Sequence, residues 1–201
     1  LIAASGVLTR PLRQARDWGY QRLSAAQTVL VCDAAPPPLG RVAARGCAST
    51  LAFELSDGDA RIIVNCGGAN GGGGALSPAL ADGLRTTAAH STLILADSNS
   101  TAVLADGALG KGVTEVELDR EDADNESRIE ARHDGYRRRF GFDHRRTLIL
   151  TEDGREVHGE DQLRPAGSRK RSTVAAFAVR FHLAPGIEIT PTTDGQAALL
   201  R

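Results

Sequence analysis

No stretch of this 201-residue chain approaches the ~18 consecutive apolar residues that would span a bilayer as a helix, so no membrane span is expected. The opening LIAASGVLTRPLRQARDWGY lacks the charged, apolar and cleavage regions of a signal peptide. The formal net charge of −1 supplies no long-range field for nucleic acid, so a polyanion could be held only by local groups of Arg and Lys. The densest such group, Arg169-Lys170-Arg171, lies beside Pro165 and Gly167 and reads as a solvated loop. Three cysteines, Cys32, Cys47 and Cys66, have no C-x-x-C spacing, and an odd count does not make a disulfide framework; the redox compartment stays open. Methionine is absent, an initiator included, which is the expectation for a fragment of a longer protein whose targeting signal, if it has one, lies upstream.

Several catalytic signatures are missing as well. GGANGGGG contains no G-x-G-x-x-G, and GALGKGVTE has glycine where a phosphate-binding loop needs Ser or Thr after the lysine, so both read as loops rather than anion cradles. No G-x-S-x-G turn exposes a serine nucleophile. His90 and Ser91 are adjacent, and on a strand they would point to opposite faces and could not share a proton. The five histidines, His90, His133, His144, His158 and His182, have no H-x-x-x-H or H-E-x-x-H spacing, so a metal site could be assembled only between neighbouring strands. The acidic run from Asp119 to Glu126 reads as a solvated turn.

What is present is a set of short apolar runs. Hydrophobic residues make up 41% of the chain and charged residues 24%, a globular balance. From Ser49 onward TLAFELS, ARIIVNC, STLILAD, TEVELD, SRIEARHD, HRRTLILT, REVHGEDQL, VAAFAVRFHL and IEITPT are separated by turn signals such as Asp57-Gly58, Asp134-Gly135, Asp153-Gly154 and Pro185-Gly186. That spacing predicts an all-β fold, an antiparallel β-sandwich, over residues 46–201. Charged residues recurring at every second position in SRIEARHD and REVHGEDQL fit a sheet with one wet face. The glycine-rich stretch and the weakly helical GALSPALADGLR after it predict a long loop with one helical turn. Residues 1–45, with Pro11 and Pro36-Pro37-Pro38, form a lead with one strand, QTVLVCD. This lead is either the tail of a missing preceding domain or the first strand of the sandwich.

Taken in order, LAFELSDGDARIIVNCG, TTAAHSTLILAD, HDGYRRRFGFDHRRTLIL and FAVRFHLAPGIEI resemble the heparinase II/III-like family in its C-terminal β-sandwich portion, over about residues 20 to 195. The resemblance implies a polysaccharide lyase made of an N-terminal α/α toroid and this sandwich, acting on an acidic, uronate-containing polysaccharide in the envelope or periplasm of a bacterium. Such an enzyme neutralises the C5 carboxylate, removes the C5 proton and protonates the departing glycosidic oxygen. The sandwich contributes a histidine and, in some members, a structural zinc ion. In this chain His90 keeps the family's residue type and is the candidate catalytic group. Arg45, Cys47 and Ser49 stand where the family has an H-x-H-x-D-like stretch, and Asn65 stands where it has a carboxylate. The corresponding metal set is Cys47, Asn65 and His90. The isolated chain, without a toroid, is not expected to turn over substrate. The alternative is a carbohydrate-binding or structural module in which Arg45, His133, Tyr136 and Arg137 contact glycan carboxylates or sulfates, since the arginine fork matches planar anions.

Overall fold

Side-chain alternation in TVLVCD shows how the first sheet is made. Thr28, Leu30 and Cys32 are buried while Val29, Val31 and Asp33 are half-buried, so one face of the strand enters a core and the other looks out over the sheet. The computed structural model describes residues 14–15, 19–68, 76–167 and 175–201. Arg169-Lys170-Arg171 and all of GGANGGGG after its first two glycines lie outside the described residues.

In chain order the elements are β1 (Gln14–Ala15), β2 (Tyr20–Ala25), β3 (Thr28–Asp33), β4 (Phe53–Asp57), β5 (Ala60–Val64), α1 (Pro78–Gly83), β6 (Leu93–Leu95), β7 (Val116–Asp122), β8 (Glu126–His133), α2 (Arg137–Phe140), β9 (Phe142–Thr151), β10 (Val157–Pro165), β11 (Phe177–Val179), β12 (His182–Leu183), β13 (Ile189–Pro191) and β14 (Ala198–Leu200). One sheet has the order β1-β2-β3-β4-β5-β12 and a second the order β10-β9-β8-β7; β6 pairs with β11, and β13 with β14. These pairings are antiparallel. The two larger sheets face each other across a shared core, Leu23, Leu30, Cys32 and Phe53 from the first meeting Ile129, Leu148 and Leu150 from the second. Each such side chain, fully buried, stabilises the fold by about 1.5–3 kcal/mol. The predicted antiparallel β-sandwich is therefore the observed architecture.

Local details depart from the sequence reading. VAAFAVRFHL divides: β11 joins β6, and after Arg180-Phe181 the chain enters β12 at the edge of the six-stranded sheet. Residues 20–33 contribute two full strands to that sheet, with Leu23, Leu30 and Cys32 in its core. The helical turn expected after the glycines is α1, with Pro78 in its first turn and Ser77 Oγ accepting the Leu80 N–H at 3.4 Å.

Candidate functional site

The outward residues of β3, β4 and β5 floor a groove of about 1020 Å³. Val29, Val31 and Asp33 come from β3, Glu54 and Ser56 from β4, and Arg61 from β5. One wall is the segment from Pro36 to Cys47, including a 3-10 turn at Gly40–Arg45; the other carries Asn65, Gly67, Gly68 and His90. Arg45, Cys47, Asn65 and His90, assigned from sequence, all line this groove.

Hydrogen bonds fix the polar lining. Ser49 Oγ donates to Asp33 Oδ2 at 2.6 Å, and burial pushes the Asp33 carboxyl up against that bond. The Asp33 charge in turn raises the Tyr20 phenol at the groove's edge. Glu54 pairs with Arg61 at 2.9 Å and accepts the Asn65 backbone N–H at 3.2 Å. Asn65 Oδ1 accepts the Ser91 N–H at 2.8 Å. His90, only 4% exposed, places Nδ1 2.7 Å from Thr86 O. A carbonyl can only accept, so the ring proton sits on Nδ1 and Nε2 is unprotonated. Burial lowers the His90 pKa and keeps the ring neutral.

The zinc expectation finds no matching donor set. Asn65 Oδ1 already accepts the Ser91 N–H, and a neutral amide is a weak donor to zinc beside thiolate, imidazole or carboxylate. Among the described residues no three His, Cys, Asp or Glu side chains come together as a ligand group. The residues present do not fit the ion.

The structure also corrects the placement of the other proposed glycan contacts. His133 and Tyr136 are each 1% exposed, beyond the reach of a polysaccharide. Tyr136 Oη donates to Leu93 O at 3.0 Å, and His133 Nε2 lies 3.1 Å from His144 Nδ1. Arg137 grips Asp143 through Nε at 2.8 Å and Nη2 at 2.7 Å. None of the three lines the groove. The sequence reading missed Asp33, Glu54, Tyr20 and Arg61. Alternation could have found the first two, because Cys32 and Phe53 point inward and their neighbours Asp33 and Glu54 must then point out.

A family model described as "Heparinase II/III-like, C-terminal" matches residues 7–201. FtsZ-localized protein C of Caulobacter vibrioides (strain NA1000 / CB15N) is 31% identical over 204 residues, covering 96% of this chain and 34% of that protein. The chain thus spans about a third of the length of that curated relative. Among solved structures, a heparinase III superposes with a TM-score of 0.66 at 15% identity, over 94% of this chain and 26% of that one. The heparan sulfate lyase of Pedobacter heparinus superposes with a TM-score of 0.51 at 21% identity, over 74% of this chain and 21% of that one. At these identities the likeness is one of fold.

Proposed function

The chain belongs to the heparinase II/III-like, C-terminal family, and from that premise we propose that its groove is a binding wall for an acidic polysaccharide that does not itself carry out β-elimination. One observation carries the reading: Arg45, Cys47, Asn65 and His90 line a single groove. Elimination needs a partner for the uronate carboxylate, a base at C5 and an acid at the leaving oxygen. Exposed Arg45 suits the carboxylate, since a guanidinium holds both oxygens at once. Neutral His90 offers a lone pair on Nε2 to a sugar hydroxyl but no proton to a leaving group. Asn65 and the protonated Cys47 supply no base. The acid, and a base stronger than the burial-weakened His90 imidazole, belong, on this reading, to a part of the parent protein outside this chain, the α/α toroid implied by the resemblance.

The test is titration of the chain with uronate-containing oligosaccharides, alongside an absorbance assay for unsaturated uronate. Binding is expected, with Arg45→Ala weakening it about tenfold or more, the effect of losing a charge-assisted hydrogen bond of about 1.5–3 kcal/mol. No unsaturated product should form. Binding that is absent, or indifferent to Arg45→Ala, would overturn the assignment.

The 31% identity to FtsZ-localized protein C, against 15–21% for the solved lyases, favours a second reading at the level of the parent protein. On it the parent is a bacterial protein that co-localises with FtsZ, as that relative's name states of it. Imaging of the tagged parent beside FtsZ decides between this and the envelope or periplasmic placement that the resemblance implies.

A further inference from the structure

At the end of β5, two side chains have the layout of a nucleophile and its base. Cys66 is exposed and follows β5, while His182 begins β12, which pairs with β5 through His182↔Val64. Cys66 Sγ lies 3.4 Å from His182 Nδ1, and His182 Nε2 lies 3.0 Å from Ala88 O. Because the Ala88 carbonyl only accepts, the ring proton is on Nε2 and the Nδ1 lone pair faces the thiol. The backbone holds both partners in place: Cys66 N donates to Ala89 O at 3.0 Å, and His182 N donates to Ser91 Oγ at 2.9 Å. Ser91 Oγ donates in turn to Val64 O at 2.7 Å. A thiol, a base within reach and a third group orienting the base make up the arrangement of an activated nucleophile.

The other two cysteines provide the contrast. Cys32 is 1% exposed, and burial pushes its thiol up to about 12. Cys47 is half-buried and raised for the same reason.

We propose that Cys66 is a modification site, a thiol that His182 deprotonates for attack on a low-molecular-weight disulfide. The thiol proton moves to His182 Nδ1, Cys66 Sγ bonds to one sulfur of the disulfide, and the S–S bond breaks. The departing thiolate takes the proton back from the imidazolium. The products are a mixed disulfide on Cys66 and one free thiol, and the disulfide is the only oxidant required. The adduct sits between Asn65 and Gly67, two residues that line the groove.

The experiment exposes the whole chain to oxidised glutathione at neutral pH and maps adducts by peptide mass spectrometry. Cys66 is expected to be modified first, and about tenfold or more faster in the native chain than in the chain unfolded in urea, the mark of a positioned base rather than of exposure alone. His182→Gln, which keeps a donor for Ala88 O but no base, should bring the native rate down to the unfolded one. A native rate no higher than the unfolded rate, Cys47 reacting ahead of Cys66, or an unchanged rate in folded His182→Gln would each overturn the proposal. The comparison of native and unfolded chain needs no substitution, so it decides the matter even if the variant fails to fold. None of these readouts depends on what the groove binds.

Discussion

Arg146 ties the molecule together at the scale of a single residue. Its Nε and Nη2 donate to the two oxygens of Asp161 at 2.8 Å each, and Nη1 donates to Leu51 O and to Ser91 O, also at 2.8 Å. The guanidinium lies 5.4 Å over the Phe53 ring. Burial works against the Asp161 carboxylate, yet hydrogen bonds from His144 and Arg146 outweigh it and hold the group below the usual carboxylate range. Arg146→Met would leave Asp161 without its cation and the Leu51 carbonyl without its side-chain donor, while Ser91 O would keep only the longer bond from Phe53 N. Breaking one side of such a buried pair costs about 3–5 kcal/mol, so urea unfolding of Arg146→Met should show a loss of that size. A loss below ~1 kcal/mol would mean that the pair is offset by its own desolvation. Ser91 follows His90, so the same variant should also loosen the groove wall. Nothing in HRRTLILT distinguishes Arg146, which is buried, from Arg145, which is half-buried. Only the register Arg146↔Asp161 across β9 and β10 separates them, and register is a property of the folded sheet.

Among the elements, those with clear alternation or strong turn signals were legible in the sequence. QTVLVCD, TEVELD, SRIEARHD, HRRTLILT and REVHGEDQL each contain or overlap an observed strand. β2 was missed because YQRLSA mixes polar and small residues, and its inward pair, Gln21 and Leu23, does not read as an apolar stripe. β14 was missed because ALL is exposed throughout and is held by its partner β13 rather than by a core. The groove was half legible: five lining residues, Arg45, Cys47, Ser49, Asn65 and His90, followed from the family resemblance, while Asp33 and Glu54 were open to alternation once the inward faces of β3 and β4 were assigned. His133 and Tyr136 were misplaced because a buried imidazole or phenol that finds a partner looks, in sequence, like a surface one. The connection from β8 to β9 carries two glycines for different reasons, and these give a prediction. Gly141 caps α2 at φ +81° with open space around it, whereas a Cβ on Gly135 would come within 2.6 Å of Ser100 O and 2.7 Å of Val113 Cγ2. Gly141→Ala should therefore cost about 1 kcal/mol through backbone strain alone. Gly135→Ala should cost more, about 1–3 kcal/mol of overpacking, and should also disturb the Gly135 N–H that donates to His133 Nδ1 at 3.1 Å. Thermal melts of the two variants should rank in that order, and the reverse ranking would refute the assignment.

At the scale of the whole molecule, a single chain of hydrogen bonds crosses three strands of the second sheet and makes stability depend on pH. His133 Nδ1 accepts from Gly135, so its proton is on Nε2 and is donated to His144 Nδ1 at 3.1 Å; His144 Nε2–H is then donated to Asp161 at 2.6 Å. The lone pairs of both His133 and His144 are in use, so a proton added to either must break a bond in the sandwich interior. Burial lowers both pKa values, that of His133 well below its ordinary value of 6.5, and lowers His90 in the groove as well. The sign follows from proton counts. Below pH ~6.5 the unfolded chain takes up protons that the native chain refuses, so acidification stabilises the unfolded state and the native state loses stability. Each histidine behaving in this way contributes about 1.4 kcal/mol per pH unit between its folded pKa and the unfolded value. Asp161, with its lowered pKa, adds to the loss only below pH ~3.9. Asp33, with its raised pKa, has the opposite sign, but it is one carboxyl against three imidazoles. Calorimetry at intervals from pH 8 to 5 should show a constant melting temperature above neutrality and a steady fall below about pH 6.5. In His144→Asn that fall should be shallower, because one refusing group is gone and the amide can still bridge His133 and Asp161. A melting temperature that stays level from pH 7 to 5 would mean that the interior imidazoles accept protons in the native state, and that the directional chain from Gly135 to Asp161 does not hold.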